Sequence, residues 1–219
     1  KIIDLSKQET IDWKELDGIL IPGGADINPE YYFPSIEPEL VEYTKKLDYL
    51  VNYSAEGKRR DPFEFGILKE YFSNDNYKDI PILGICRGMQ MLAVSQGIPL
   101  YVDIRKELGI RNRRYLFDRI TLTGERDSLM GQMFKYSFLA FKQHHQGIRV
   151  SYYMEHQERW PHIALTSYSN RGRIAESMEF RNRPVLGVQF HSEKDFGFER
   201  HSIFSWFLDK AEEKHLTEQ

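Results

Sequence analysis

The chain of 219 residues contains a single cysteine, which excludes an intrachain disulfide and a zinc site built from several cysteines. A lone thiol is typical of a reducing compartment, and no apolar signal-peptide segment follows Lys1, so we expect a cytoplasmic protein. No apolar run approaches the ~18 residues that cross a membrane. The 30 Lys and Arg residues nearly balance the 33 Asp and Glu residues, which predicts no attraction to nucleic acid or to an acidic membrane.

The single cysteine, Cys86, lies between a predicted strand and a predicted helix. Residues 80–85 form an apolar run typical of a buried strand, and residues 89–96 have the pattern of a helix. Gly84 and Gly88 flank the cysteine and allow the backbone to turn sharply. This order is that of a nucleophile elbow, in which the reactive residue lies at the tip of a tight turn. The alternative is a structural cysteine at the end of a core strand.

The start of the predicted helix adds two expectations. A helix N-terminus favours the thiolate, because the helix dipole stabilises negative charge there. The backbone N–H of Arg87 follows the cysteine and is a candidate oxyanion donor. The Arg87 side chain, however, is a cation in the first turn of a helix, which costs roughly 0.3–1 kcal/mol. We therefore expect a carboxylate partner for Arg87, in this chain or in a substrate.

The order of the predicted elements indicates the α/β class, with one domain over residues 1–219. Strands and helices alternate along the first part of the chain, as in a three-layer, doubly wound, mostly parallel sheet of the flavodoxin-like kind. Short strands dominate later, one of them expected over 148–153, and an amphipathic helix is expected over 197–214.

A long connection at residues 28–60 is a candidate lid-like insertion, with a helix expected over 39–53. A surface excursion without a role is the alternative interpretation. After it, Asp61 and Glu64 have the spacing of a capping box around Pro62, which predicts that a helix begins at Asp61.

A candidate base follows the apolar strand predicted at 185–190. His191 comes directly after this strand, and Cys86 follows another strand, so both are expected at the carboxyl edge of the sheet, where active sites of open α/β folds lie. Glu193 can orient the imidazole and stabilise its cation. The three side chains are a candidate relay of nucleophile, base and orienter. For His191 taken alone, the alternative is a loop histidine.

Four motifs in this chain resemble segments of the class I glutamine amidotransferase superfamily. The stretches GICRGMQ (84–90) and GVQFHSE (187–193) are similar to its nucleophile and base segments. The stretches LDGILIPGGADINP (16–29) and QHHQGI (143–148) resemble the γ-glutamyl hydrolase branch, which includes γ-glutamyl-γ-aminobutyrate hydrolase. Arg87 points to the same branch, since amidotransferases coupled to a synthase usually have Leu at this position.

The resemblance implies a role for each matching residue. Cys86 is expected to be the nucleophile, His191 the general base and acid, and Glu193 the orienter. The backbone N–H groups of Gly24 and Arg87 are expected to form the oxyanion hole.

The resemblance also implies the substrate side of the site. Gln90, Gln143, His144 and His145 are expected to border a γ-glutamyl head group, together with Gln146. The implied reaction is hydrolysis of a γ-glutamyl amide of a small amine or peptide through a γ-glutamyl thioester, with no metal or organic cofactor.

Three other functions stay open at this point. They are a glutaminase (amidotransferase) subunit that feeds ammonia to a synthase partner, a γ-glutamyl transferase, and a non-catalytic regulatory module of the same fold. A homodimer is also open.

The chain departs from the family pattern in two places. Ser192 replaces the usual proline between His191 and Glu193, which loosens the turn but keeps both functional side chains. The family's usual first β-α-β unit does not precede the motif at 16–29. Either about forty residues are missing from this sequence or the sheet is completed differently, and a missing strand would leave an open sheet edge.

Overall fold

The computed structural model of the protein describes residues 4–7, 11–110, 116–124, 127–194 and 197–217. The strands are β1 (Ile19–Ile21), β2 (Ile82–Ile85), β3 (Leu100–Tyr101), β4 (Leu116–Leu122), β5 (Ser137–Lys142), β6 (Gly147–Ile148), β7 (Ile163–Ser169), β8 (Ile174–Phe180) and β9 (Val185–Val188). The α-helices are α1 (Pro38–Lys46), α2 (Ala55–Ser73), α3 (Arg87–Ser95), α4 (Ile104–Leu108), α5 (Leu129–Met133), α6 (Val150–Glu155) and α7 (Phe198–Thr217). The predicted α/β class is confirmed.

A seven-stranded sheet of order β1-β2-β9-β8-β7-β4-β5 forms the centre of the fold. Strands β1, β2 and β9 pair in parallel, and the other four strands extend the sheet from β9 in antiparallel pairs. Because two successive antiparallel pairs restore the strand direction, β7 and β5 run with the parallel three, and five of the seven described strands point the same way. The expected mostly parallel sheet is confirmed in this sense, and β3 and β6 form a separate antiparallel pair.

Helices cover both faces of the sheet. Alternate side chains of β2 and β9 point to opposite faces, and both sets are buried. Ile82 and Val185 pack in one core with side chains of α2 and α3. Leu83 and Leu186 pack in a second core with side chains of α5 and α7. These two cores make the expected three layers. No helix in the described ranges, including the 20 residues of α7, is long and apolar enough to cross a membrane.

The predicted helix start at Asp61 is wrong. Helix α2 begins at Ala55, where the Ser54 hydroxyl accepts a hydrogen bond from the Gly57 N–H at 2.9 Å, and it continues through Pro62. Asp61 and Glu64 have the spacing of a capping box, but inside a helix this spacing places two side chains on one face. Both carboxylates are buried and are used in the site described below.

The strand predicted over residues 148–153 is also mostly wrong. Only Gly147 and Ile148 pair with β3, and α6 follows at once. This helix buries Val150, Tyr152 and Tyr153. Burial against the core therefore outweighs the preference of β-branched and aromatic residues for strands.

The segment 28–60 contains α1, three short 3-10 helices and the start of α2. The helix expected over 39–53 is shorter than predicted, since α1 ends at Lys46 and a separate 3-10 turn follows. The N–H of Asn52 donates to the Asp26 carboxylate at 2.8 Å, which ties this segment to the loop after β1.

Helix α3 lies so close to β1 that its first turn has no room for a side chain at Gly88. A Cβ placed there would lie 2.1 Å from the Ile21 carbonyl oxygen. We expect Gly88→Ala to lower the free energy of unfolding in urea by at least about 1–3 kcal/mol, because backbone must move to admit the methyl group.

Gly66 in α2 provides the matched control, since a Cβ there meets no atom within 4 Å. Gly66→Ala should leave the unfolding free energy unchanged or raise it by up to ~1 kcal/mol, as expected for an open helical position. Equal effects of the two substitutions would contradict this account of the α3–β1 contact.

Candidate active site

The candidate site lies at the carboxyl edge of the parallel part of the sheet. The chain leaves β1 into Gly23 and Gly24, leaves β2 into Cys86, and leaves β9 just before His191. Neighbouring parallel strands end at the same edge, so these three segments meet. Gly23 contacts both of the others, since a Cβ there would lie 3.1 Å from the His191 Cε1 and 3.6 Å from the Cys86 Cβ.

Cys86 has the strained backbone of a nucleophile elbow, with φ of 53° and ψ of −102°. Such a conformation costs a non-glycine residue about 1–3 kcal/mol and persists only where neighbours hold it. Here the Cys86 N–H donates to the Val188 carbonyl at 2.7 Å, and the Cys86 carbonyl accepts from the Gln90 N–H at 3.2 Å. The turn places the thiol at the N-terminus of α3.

His191 lies between the thiol and an acidic side chain. Its Nδ1 is 2.6 Å from the Glu193 Oε1, and its ring lies beside the Cys86 side chain next to Gly23. Burial lowers the pKa of His191, but the hydrogen bonds and charges of Cys86 and Glu193 outweigh burial and raise it to about 9. Burial likewise raises the pKa of Glu193, but His191 outweighs it and holds that pKa below its usual range. The arrangement therefore favours an imidazolium at neutral pH.

A chain of amide groups surrounds the sulfur on its buried side. The Gln189 Nε2 donates to the Cys86 Sγ at 3.6 Å, and the Gln189 Oε1 accepts from the Gln90 Nε2 at 3.2 Å. The Gln90 Nε2 also donates to the Gln146 carbonyl at 3.0 Å, and the Gln143 carbonyl lies 3.9 Å from the Sγ. The sequence identified Gln90 and the 143–146 segment but gave no role to Gln189, although it lies two residues before His191.

His144 is buried, and its Nδ1 is 2.9 Å from the Gln146 carbonyl. A carbonyl only accepts hydrogen bonds, so this nitrogen carries the proton. Burial and the nearby Lys142 cation lower the pKa of His144 to about 3, which keeps the ring neutral. His144 thus fixes the shape of the 143–146 segment beside the thiol.

His145 joins two loops through its ring nitrogens. Its Nε2 is 2.8 Å from the Asp26 Oδ1, and its Nδ1 is 3.3 Å from the Asp103 Oδ2. The imidazole therefore fastens the 143–146 segment to the loop after β1. Within the described ranges, no group of three or more His, Cys, Asp or Glu side chains has the arrangement to hold a metal ion.

The expected carboxylate partner of Arg87 is confirmed, and there are two of them. The guanidinium is almost fully buried, donating from Nη1 to Glu64 and from Nη2 to Asp61. Both carboxylates come from α2. They neutralise the cation directly behind the elbow, where an unpaired buried charge would cost several kcal/mol.

This fold is that of the class I glutamine amidotransferase-like proteins. The Peptidase C26 family profile matches residues 5–193, and the chain belongs to this family. Protein NtpR of Enterococcus hirae is 27% identical over 187 residues, which cover 82% of this chain and 67% of NtpR. A glutamine-hydrolysing GMP synthase subunit of Picrophilus torridus is 26% identical over 149 residues, 68% of each chain.

A solved structure supports the fold alone. The glutaminase domain of Trypanosoma brucei CTPS, with bound acivicin, superposes with a TM-score of 0.61 at 14% sequence identity. The match covers 92% of this chain and 73% of that domain.

The pairing of His191 with Glu193 predicts a titration that an NMR measurement can follow. The His191 cation is stabilised up to the raised pKa of about 9, so its contribution to stability is complete below ~6.5 and is lost as the pH rises through about 9. We expect the His191 imidazole signals to titrate near pH 9 in the wild type. In Glu193→Gln the midpoint should move to lower pH, because the neutral amide stabilises the cation less.

The His191 signals are assigned by their absence in His191→Asn. Glu213→Gln is the control, since Glu213 is an exposed carboxylate on α7 that pairs with Lys210. The same His191 midpoint in wild type and Glu193→Gln would refute the proposed coupling, while a shift in Glu213→Gln would indicate a nonspecific charge effect.

Proposed function

We propose that this protein is a cysteine-dependent hydrolase that cleaves γ-glutamyl amide bonds through a γ-glutamyl thioester. The observation that carries the proposal is the placement of the His191 ring beside Cys86, with the ring Nδ1 2.6 Å from the Glu193 carboxylate. In this proposal Cys86 is the nucleophile, His191 the general base and acid, and Glu193 the orienter of the imidazole.

In the first half-reaction, the proton of the thiol already lies on His191, and the Cys86 thiolate attacks the γ-carbonyl carbon. A C–S bond forms, and the carbonyl oxygen becomes an oxyanion that accepts hydrogen bonds from the backbone N–H groups of Gly24 and Arg87. As the intermediate collapses, the C–N bond breaks and His191 returns its proton to the nitrogen. The amine leaves, and the γ-glutamyl group remains on Cys86 as a thioester.

In the second half-reaction, water replaces the amine. His191 accepts a proton from the water as the oxygen attacks the thioester carbon. The oxyanion forms in the same place, the C–S bond breaks, and glutamate leaves. The departing sulfur remains as a thiolate beside the protonated His191, which restores the starting state.

On the substrate side, we propose that Gln90 and the segment of Gln143, His144 and His145 border the γ-glutamyl head group. The 3.9 Å distance from the Gln143 carbonyl to the Cys86 Sγ supports this assignment. Because the rings of His144 and His145 already bind protein groups, their part in substrate binding is to hold the segment in position.

We propose that the branch is that of the γ-glutamyl hydrolases, including γ-glutamyl-γ-aminobutyrate hydrolase, with a small γ-glutamyl amine or peptide as substrate. The motif at 16–29 and the Arg87 side chain support this branch. The segment 28–60 is proposed as a lid of a single domain. It borders a cavity of about 530 Å³ that also reaches Asp26 and Asp61.

A second candidate is a glutaminase that supplies ammonia to a synthase partner. The likeness to a GMP synthase component that is described as glutamine-hydrolysing favours this candidate. Such a glutaminase would hydrolyse glutamine slowly by itself and faster with its partner, whereas a γ-glutamyl hydrolase would turn over amides of larger amines without one.

The proposal is tested by incubating the purified protein with a panel of γ-glutamyl amides, glutamine included, and measuring the released amine or ammonia. We expect amides of larger amines to be hydrolysed faster than glutamine. Cys86→Ala and His191→Ala should each lower kcat by at least about 10³-fold, because nucleophile and base act as one unit.

His201→Ala is the matched control for the histidine substitution, since His201 is an exposed histidine on α7. Turnover that survives Cys86→Ala would disprove the thioester mechanism. Turnover of glutamine alone, increased by an added synthase, would favour the second candidate.

A further inference from the structure

Arg60 of α2 holds the loop that contains one of the two proposed oxyanion donors. Its Nη1 donates to the Gly23 carbonyl at 2.8 Å, and its Nη2 donates to the Pro22 carbonyl at 2.9 Å. Its Nη1 and Nε also bind Glu56 and Glu64, each at 2.6 Å. The side chain is only 19% exposed, and the two carboxylates keep its planar guanidinium directed at the loop.

The hydrogen bond from Arg60 to the Gly23 carbonyl fixes the orientation of the Gly23–Gly24 peptide group. The described residues contain no cis peptide bonds. In a trans peptide, the Gly24 N–H therefore points away from the Gly23 oxygen and lies on the same side of the C–N bond as the Gly23 Cα. The Gly23 Cα also faces the thiol, since a Cβ attached to it would lie 3.1 Å from the His191 Cε1 and 3.6 Å from the Cys86 Cβ. With its oxygen held by Arg60, the peptide thus turns its N–H toward the thiol side of the loop.

We propose that Arg60 is a positioning residue that keeps the Gly23–Gly24 peptide in the orientation required of an oxyanion donor. This inference rests on the proposed acyl-transfer chemistry. If the peptide turned over, the Gly23 carbonyl oxygen would face the developing oxyanion and repel it. Glycines on both sides make such a rotation easy, so an external group has to prevent it.

Glu64 connects Arg60 to Arg87, the residue that contains the second proposed oxyanion donor. Its Oε1 accepts from Arg60, and its Oε2 accepts from Arg87, whose backbone N–H is the other proposed donor. Helix α2 therefore braces both halves of the oxyanion hole from one side. The consequence is a hole that is already formed in the isolated chain, without a partner protein to reorient the loop.

The inference is tested with Arg60→Ala, Arg60→Lys and the control Arg59→Ala, which removes the neighbouring exposed arginine of the same helix. Two reactions of Cys86 are compared: hydrolysis of the best γ-glutamyl amide, and alkylation by iodoacetamide. Hydrolysis needs an oxyanion hole, whereas alkylation displaces iodide at a saturated carbon and forms no oxyanion.

We expect Arg60→Ala to lower kcat by about 10²-fold, the usual effect of losing one oxyanion donor, with KM changed by less than about threefold. The alkylation rate and its pH profile should stay as in the wild type. Arg60→Lys should recover only part of kcat, because one ammonium group cannot reach both carbonyls and both carboxylates. Arg59→Ala should match the wild type in every measurement.

Crystal structures of the wild type and of Arg60→Ala give a readout that needs no substrate. The Gly23 oxygen should keep its orientation in the first and rotate in the second. An unchanged peptide in Arg60→Ala would overturn the inference, as would equal losses of hydrolysis and alkylation, which indicate general disorder of the site. Absence of turnover in the wild type would instead refute the proposed function, and the peptide orientation would still decide the role of Arg60.

Discussion

The buried ion pair between Arg87 and the carboxylates of α2 is the constraint on which the rest of the site depends. A guanidinium that is 1% exposed has to be neutralised inside the protein. Asp61 and Glu64 provide the negative charge, and they do so only if α2 lies directly against the first turn of α3. Docking α2 there also brings Arg60 to the loop after β1 and anchors the segment 28–60. The need to neutralise Arg87 therefore fixes the positions of the first turn of α3, the loop after β1 and the segment 28–60.

The strained turn at Cys86 depends on the sheet in a similar way. Its N–H and carbonyl are both occupied, by Val188 of β9 and by the first turn of α3. The missing side chain of Gly88 lets that turn approach Ile21 of β1. Cys86 is thus held by the three parallel strands whose ends supply the other groups of the site, and these contacts maintain an otherwise unfavourable backbone conformation.

The sequence predicted the features that arise from local patterns. Cys86 and His191 follow apolar strands, and Glu193 comes two residues after His191, so their meeting at one edge follows from strand order alone. Contacts between distant segments were not predictable in the same way. Arg60 and Gln189 carry no local signal, because only the docking of α2 and the end of β9 give their side chains partners. The pair Asp61 and Glu64 was misread, since a spacing of three residues serves a helix cap and a buried face equally well.

The burial of the thiol has a consequence for redox chemistry. Cys86 is 5% exposed, and thiol–disulfide exchange requires a disulfide to approach the sulfur in line with its S–S bond. A bulky disulfide such as oxidised glutathione therefore cannot align with this sulfur unless the surrounding loops move. The sequence also contains no second cysteine to complete an internal disulfide. Burial of the sulfur and the lack of a second cysteine therefore both disfavour disulfide formation at Cys86.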